Sequence, residues 1–224
     1  EPLEKVFFVN SGSEAVDLAV SLARVMAGRS QVVALRDGYH GGSYLTKSLT
    51  GLDGWHFRGD QAPGIVHVGA PLCVGCSGAS RCRPDLDVPC LGELGLTLGA
   101  VREGGCVPIV LVEPVLGVGG ILVPPDHFFD GLARLRSLHA ALLVMDEVQT
   151  GFGRCGDRLF AFQKHGLRPD VVALGKGIAN GYPLGAVAMT RAVAESNRDL
   201  LHFNTFGGHP VSIARIHYCP KTWK

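Results

Sequence analysis

Long apolar runs are missing from this chain. No stretch approaches the roughly 20 residues that a membrane helix needs, so no helical span is expected and a membrane is not among the expected partners. A surplus of either charge is missing as well. Lys plus Arg number 21 against 20 for Asp plus Glu, a formal net charge of +1 over 224 residues, which leaves no basic face for nucleic acid or an anionic bilayer. There is no internal repeat, and the 31 glycines are scattered without a period, which favours many tight turns over low complexity. The opening EPLEKVFFVN has neither an initiator Met nor a targeting segment, and Val6 to Val9 read as an interior strand, so the chain is expected to begin in mid-domain.

Seven cysteines are present, and Cys73, Cys76, Cys82 and Cys90 fall in PLCVGCSGASRCRPDLDVPC. Cys73 and Cys76 have the gap of a metal knuckle, but Cys82 and Cys90 do not form the second pair that zinc requires. No metal site is therefore expected, and the thiols are read as reduced in an intracellular compartment.

What is present is a globular composition, 46% hydrophobic and 18% charged, enough for one large core or two modest ones. Short continuous apolar runs recur at 6–9, 31–35, 65–68, 108–114, 141–147, 170–174 and 185–189. Continuous rather than alternating runs mark strands covered on both faces. Between them, Ala15, Val16, Leu18, Ala19, Leu22, Ala23 and Met26 recur at helical steps, as do Phe128, Phe129, Leu132, Leu135 and Leu138. The expected fold is α/β, with a mostly parallel central sheet and helices on both faces. Ligands of such sheets gather beyond the carboxyl ends of the strands, and Glu113, Asp146 and Lys176 all stand at or just past such ends.

Three stretches carry the chemistry. In LLVMDEVQTGFGR a buried strand ends in Asp146 and Glu147, and a buried carboxylate is costly unless a cation or hydrogen-bond donor meets it. In NSGSEAVDL, Ser11 and Glu14 have capping-box spacing and Gly12 permits close approach, so free N–H groups there can hold a phosphate; an ordinary capped helix explains the same residues. In VVALGKGIANG, Lys176 follows a strand among Gly175, Gly177 and Gly181, where partial burial makes the amine a usable nucleophile. Nucleotide loops are not met. A Walker loop ending at Lys176 needs Gly and then Ser or Thr where Asp170 and Gly177 stand, and Leu122 replaces the third glycine of a dinucleotide fingerprint. No GxSxG elbow is present either. A strand-end acid, a glycine-flanked lysine and an anion-ready helix start together fit pyridoxal phosphate: ring nitrogen, aldehyde and phosphate in turn.

NSGSEA, YHGGS, VEPVLGVGG, MDEVQTGFGR, LGKGIANGYPLGA and HFNTFGGHP, in that order, resemble the class III (subgroup II) pyridoxal-phosphate aminotransferases, most of all the mitochondrial alanine–glyoxylate type. DEVQTGFGR and FNTFGG are also shared with phospholyase relatives. The resemblance implies the large domain of a type I pyridoxal-phosphate transferase over residues 1–212, and transfer of an amino group from alanine or a similar amino acid to glyoxylate or another 2-oxo acid. It implies a Schiff base and proton shuttle at Lys176, Asp146 on the pyridine nitrogen, Gln149 on the ring hydroxyl, and Val148 and Tyr39 on the two ring faces. Gly12 and Ser13 would hold the phosphate, and Thr205 would reach the phosphate of a partner's cofactor, which implies a homodimer. Glu113 is similar to a family glutamate that pairs with a substrate-binding Arg. His40 is expected to brace Tyr39, Glu147 to be structural and Arg154 to be an outer brace. A mitochondrial location follows from the relatives, with the cytoplasm as the alternative. Family subunits extend beyond both ends of the chain, so an N-terminal segment and a C-terminal small domain are expected to be missing. Residues 213–224 diverge from the family pattern and do not read as a helix. A phospholyase acting on an amino-alcohol phosphate and a non-catalytic fragment remain the competing readings; Pro114, after the strand-end Glu113, favours the transferase.

Overall fold

The computed structural model describes residues 2–55, 59, 61–72, 89–156 and 158–216. Cys73, Cys76, Cys82 and Cys219 lie outside them, as do residues 217–224 of the divergent tail. Among the described residues, strands β1 (Leu3–Val9), β2 (Ser30–Leu35), β3 (Ile65–Val68), β4 (Val107–Val112), β5 (Leu142–Asp146), β6 (Val171–Leu174) and β7 (Gly185–Thr190) form one sheet in the order β1-β7-β6-β5-β4-β2-β3. Pairing is parallel from β3 to β6, while β7 runs antiparallel to both β6 and β1. Reversing β7 leaves β1, β2, β3, β4, β5 and β6 pointing the same way. Their carboxyl ends therefore share one edge, and the chain must leave that edge through six loops.

The continuous apolar runs of the central strands have a direct cause. Successive side chains alternate between faces, and both faces are covered. Ile109, Leu111, Val144 and Ala173 face α1 (Gly12–Ala27), α2 (Tyr44–Leu49) and α5 (Arg191–Ser196), while Val110, Val112, Leu143 and Met145 face α3 (Pro89–Glu103) and α4 (Asp126–His139). The two helices of the second layer approach closely through glycine: a Cβ on Gly131 would sit 1.9 Å from Leu91 Cδ1, and one on Gly95 3.2 Å from Leu135 Cδ2.

The structure departs from the sequence reading in four places. The run at 6–9 is no interior strand: β1 is the sheet edge, with Val6 51% and Phe7 39% exposed. An apolar run has the same spelling whether or not a neighbour covers it. Met26 and Leu138 close their stripes in solvent rather than in the core, each in the last turn, where the helix has passed the sheet. The helix α3 buries Leu91, Leu94, Leu98 and Val101 at helical steps that its three interior glycines conceal. Finally, the segment before the tail is helical into its first residues, as α6 (Pro210–Ile216), with the Arg215 guanidinium 4.6 Å above the Tyr182 ring.

No helix among the described residues is long and apolar enough to cross a membrane, and no group of three or more His, Cys, Asp or Glu is placed among them to hold a metal ion.

Candidate active site

Asp146 ends β5 and is 4% exposed. Its charge is met on both oxygens. Oδ1 accepts the Val148 N–H at 3.1 Å, and Oδ2 lies 2.8 Å from His40 Nδ1. His40 reaches it from the loop after β2, with its own main-chain N–H given to Thr50 Oγ1 at 2.9 Å. The sequence reading had His40 bracing Tyr39; the imidazole instead bonds Asp146. A carboxylate oxygen has two lone pairs, so each oxygen can still accept a further donor from the cleft.

Glu113 follows β4 and is equally buried. Its Oε1 accepts the Tyr39 N–H at 2.7 Å and its Oε2 the Gly117 N–H at 3.2 Å, so one side chain fastens two loops to the strand edge. Burial, opposed by His40 and assisted by the nearby Asp146 charge, pushes its carboxyl from 4.5 up to about 7. A raised folded pKa means that the native state keeps its proton while the unfolded chain has lost it. Stability from this group is unaffected below pH 4.5, falls as pH rises from there to about 7, and levels off above. Thermal midpoints measured across that window should decline less steeply in Glu113→Gln than in the parent. The difference is expected to be on the order of 3 kcal/mol at most, and parallel curves would refute the assignment.

Lys176 opens the turn after β6 with φ 41°, a left-handed conformation for a non-glycine residue, and such strain gathers at functional positions. Its Nζ donates to Gln149 Oε1. Although the side chain is open to the mouth of the cleft, loss of water around the amine lowers its pKa, Asp146 and Glu113 oppose that, and Arg154 adds to it. A fraction of neutral amine is thereby available nearer neutral pH than for a solvated lysine.

Gly12, Gly175 and Val148 form the floor. A Cβ on Gly12 would come 2.7 Å from Val148 Cγ1, and one on Gly175 would meet the same methyl at 3.1 Å and Gly12 Cα at 3.2 Å. Glycine at 12 is thus required by Val148 as well as by any ligand. Ser11 caps α1, its Oγ accepting the Glu14 N–H at 3.1 Å, and Glu14 reaches back to the Asn10 N–H at 2.9 Å. The Gly12 and Ser13 N–H groups lie in the first turn, where no helical acceptor exists. Ser13 Oγ accepts the Gly42 N–H at 2.9 Å, and Gly41, at φ 134°, has room for no side chain because a Cβ would lie 2.5 Å from Ser13 Oγ.

These residues enclose one cleft of ≈ 220 Å³, lined by Gly12, Ser13, Tyr39, Glu113, Asp146, Val148, Gln149 and Lys176 together with His40, Gly41 and Val118. The first eight were named from the sequence; Gly41 and Val118 were missed. Gly41 sits inside the quoted YHGGS, but Val118 has no sequence signal beyond the glycines around it. Thr205 is elsewhere, exposed in the turn after residue 204. That turn is tied to the start of α1, since Asn204 Nδ2 donates to Glu14 Oε2 at 3.0 Å and Asn10 Nδ2 to Asn204 Oδ1 at 2.8 Å. Arg154 lines a separate cavity of ≈ 440 Å³ with Cys155 and Lys164. Glu147 is fully buried, accepting the Thr150 hydroxyl at 2.5 Å and the Phe162 N–H at 2.8 Å.

Comparison with known proteins fits this geometry. The family described as aminotransferase class-III matches residues 1–219. Human mitochondrial alanine–glyoxylate aminotransferase 2 is 33% identical over 245 residues, covering 96% of this chain and 45% of the relative. The acetylornithine aminotransferase of Methanothermobacter thermautotrophicus is 35% identical over 214 residues, covering 95% of this chain and 49% of its own length. A PLP-bound amine transaminase from an uncultivated Pseudomonas species superposes with a TM-score of 0.87 at 29% identity, over 97% of this chain and 52% of that one. The chain spans about half the length of the relatives it matches.

Proposed function

The chain belongs to the class-III aminotransferase family, and from that premise we propose that it binds pyridoxal phosphate and transfers an amino group from alanine or a similar donor to glyoxylate or another 2-oxo acid. The observation that carries the reading is that the Asp146 carboxylate and the Lys176 amine line one cleft, near enough that the acid's charge acts on the amine.

The residues suit the cofactor. The cleft is on the scale of one small ring with its substituents. Backbone alone lines the corner at Gly12 and Gly41, where a side chain would collide with Val148 or Ser13. Bound there, pyridoxal phosphate supplies an aldehyde that accepts amino groups and a ring that takes up electrons. The chain's own residues do the rest. Asp146, held by His40 and Val148, favours a protonated ring nitrogen through a charge-assisted hydrogen bond. The N–H groups of Gly12 and Ser13 and the dipole of α1 hold the phosphate. Val148 and Tyr39 confine the ring between them, and Tyr39 is backed edge-on by Trp55 at 5.1 Å. Gln149, already the acceptor for Lys176, orients the amine and bonds the ring hydroxyl. Lys176 Nζ, held by Gln149 at the mouth of the cleft, would take up the proton that leaves the substrate carbon and later give it back.

Incubating the chain and pyridoxal phosphate with L-alanine and glyoxylate, and assaying pyruvate, tests the substrate pair. Parallel reactions with N-acetylornithine and 2-oxoglutarate, and with phosphoethanolamine, distinguish the alternatives. Pyruvate formation is expected. Glutamate formed only from N-acetylornithine would move the donor to the ornithine type; phosphate release would make the chain a lyase; silence in all three with cofactor bound would leave a scaffold. A mitochondrial location belongs to the alanine–glyoxylate reading.

The same reading includes a homodimer. Leu201 is fully exposed, Phe203 is 86% and Phe206 64% exposed, flanking Thr205 on the turn anchored to α1. Apolar residues clustered in this way mark an interface, and a second copy packed there would bring Thr205 toward its partner's phosphate site. Sedimentation should show a dimer that Phe203→Glu with Phe206→Glu weakens by at least about tenfold; an unchanged mass would refute it.

A further inference from the structure

We infer that Arg215 is a positioning residue for Lys176: from α6 it grips Tyr182, at the far end of the turn that Lys176 opens, and holds that turn in the shape from which the amine can be joined to a ligand's aldehyde. Arg215 falls in residues 213–224, which diverge from the family pattern. The inference rests on the proposed attachment of pyridoxal phosphate to Lys176, and its test separates the two.

The turn is one that has to be held. Lys176 has φ 41°, Asn180 φ 48° and Gly181 φ 95°, so two non-glycine residues of one short turn stand in the left-handed region, which costs free energy and persists only where the surroundings fix it. Phe152 stands on one side. A Cβ on Gly177 would lie 3.3 Å from its Cβ, which leaves the turn little room in that direction. On the other side α6 covers it, with Ile213 and Ile216 packed against the core cluster that contains Ile178, Ala179 and Leu184. One polar contact completes the hold. The Arg215 guanidinium lies 4.6 Å from the centre of the Tyr182 ring, and its Nη2 donates to the Tyr182 hydroxyl at 3.1 Å. Tyr182 in turn gives its N–H to the Ala179 carbonyl at 3.1 Å, so what fixes the ring also fixes the backbone of the Lys176 turn. A planar guanidinium suits both contacts at once. Without it the turn keeps its apolar support, but Tyr182 is released, and Lys176 must be ordered at the moment it is joined to the ligand.

The experiment measures, by equilibrium dialysis of the ligand-free chain, the affinities for pyridoxal phosphate and for pyridoxamine phosphate. The second ligand keeps the ring nitrogen and the phosphate but has an amine in place of the aldehyde, so it cannot be joined to Lys176. The ratio of the two affinities therefore reads the lysine alone. Arg215→Ala should lower that ratio at least about threefold, the scale of one exposed cation–π contact, and Arg215→Lys, which keeps a cation over the ring, should recover most of it. Tyr182→Ala should lower it by as much, with no further loss in the double variant. A helix that only packs against the domain would weaken both ligands alike and leave the ratio where it was. A smaller change in Arg215→Ala, or additive losses in the double variant, overturns the inference; should Arg215→Ala fail to fold, Tyr182→Ala carries the test with the same threshold. A parent chain that binds neither ligand overturns the cofactor reading instead, and hydrogen exchange of the ligand-free chain then decides the grip. Amides at 177–182 should exchange at least about threefold faster in Arg215→Ala than in the parent and return toward the parent in Arg215→Lys, whereas equal exchange removes it.

Discussion

Lys176→Ala is expected to lower the rate of amino transfer by at least about 10³-fold while leaving the fold intact. The size follows from losing two roles in one side chain, attachment of the cofactor and proton transfer, the second alone contributing typically ~10²–10⁴. Intact folding follows from the setting: the side chain is exposed along the cleft and its bond goes to Gln149, so no buried group is orphaned. Unfolding midpoints of the variant should stay within about 0.5 kcal/mol of the parent. Lys176→Arg should be nearly as inactive. A guanidinium keeps the charge and the reach but does not release a proton near neutrality. Steady-state rates beside thermal melts check both, and a variant retaining a tenth of the parent's rate would place the chemistry on another group.

Asp146→Asn and Asp146→Leu should separate binding from folding. Asparagine keeps the shape and removes the charge, so the ring cation loses a partner contributing ~1.5–3 kcal/mol, and cofactor affinity should fall about 10- to 100-fold. The fold should survive, since His40 can meet an amide through its other tautomer. Leucine offers nothing to either His40 Nδ1 or the Val148 N–H. Orphaning those two donors in the interior should cost ~1–3 kcal/mol each at most, visible in the unfolding midpoint before any ligand is added. Equal affinity for the cofactor in the parent and Asp146→Asn would mean that Asp146 serves the fold alone.

Much of this site was legible in the sequence because strand ends announce themselves. A run such as LLVM that stops on Asp146, or VVAL that stops on Gly175 before Lys176, places its last polar residue at the sheet edge once the fold is α/β. What such local patterns cannot convey is who meets whom. His40 and Asp146 are 106 residues apart and Tyr39 and Glu113 are 74; the sheet order β4-β2 brings these loops together, and nothing near either residue in the chain specifies that order. Glu113 shows the consequence. Resemblance pairs it with a substrate-binding Arg, and nothing in its neighbourhood in the chain announces that its two oxygens accept the Tyr39 and Gly117 amides, an arrangement that depends on where two loops turn. The edge position of β1 was hidden for the same reason, being a property of its neighbours. Glycine 12 was read for ligand approach, and its contact with Val148 involves a residue 136 positions away in the numbering.

Reductive trapping measures the central pairing most directly. The chain is mixed with pyridoxal phosphate, treated with borohydride and digested, and the pyridoxyl group is located by peptide mass spectrometry. A single label on Lys176, formed in the parent and much reduced in Asp146→Asn at limiting cofactor, is the expected result. A label spread over surface lysines, one fixed on a different lysine, or none at all would contradict it.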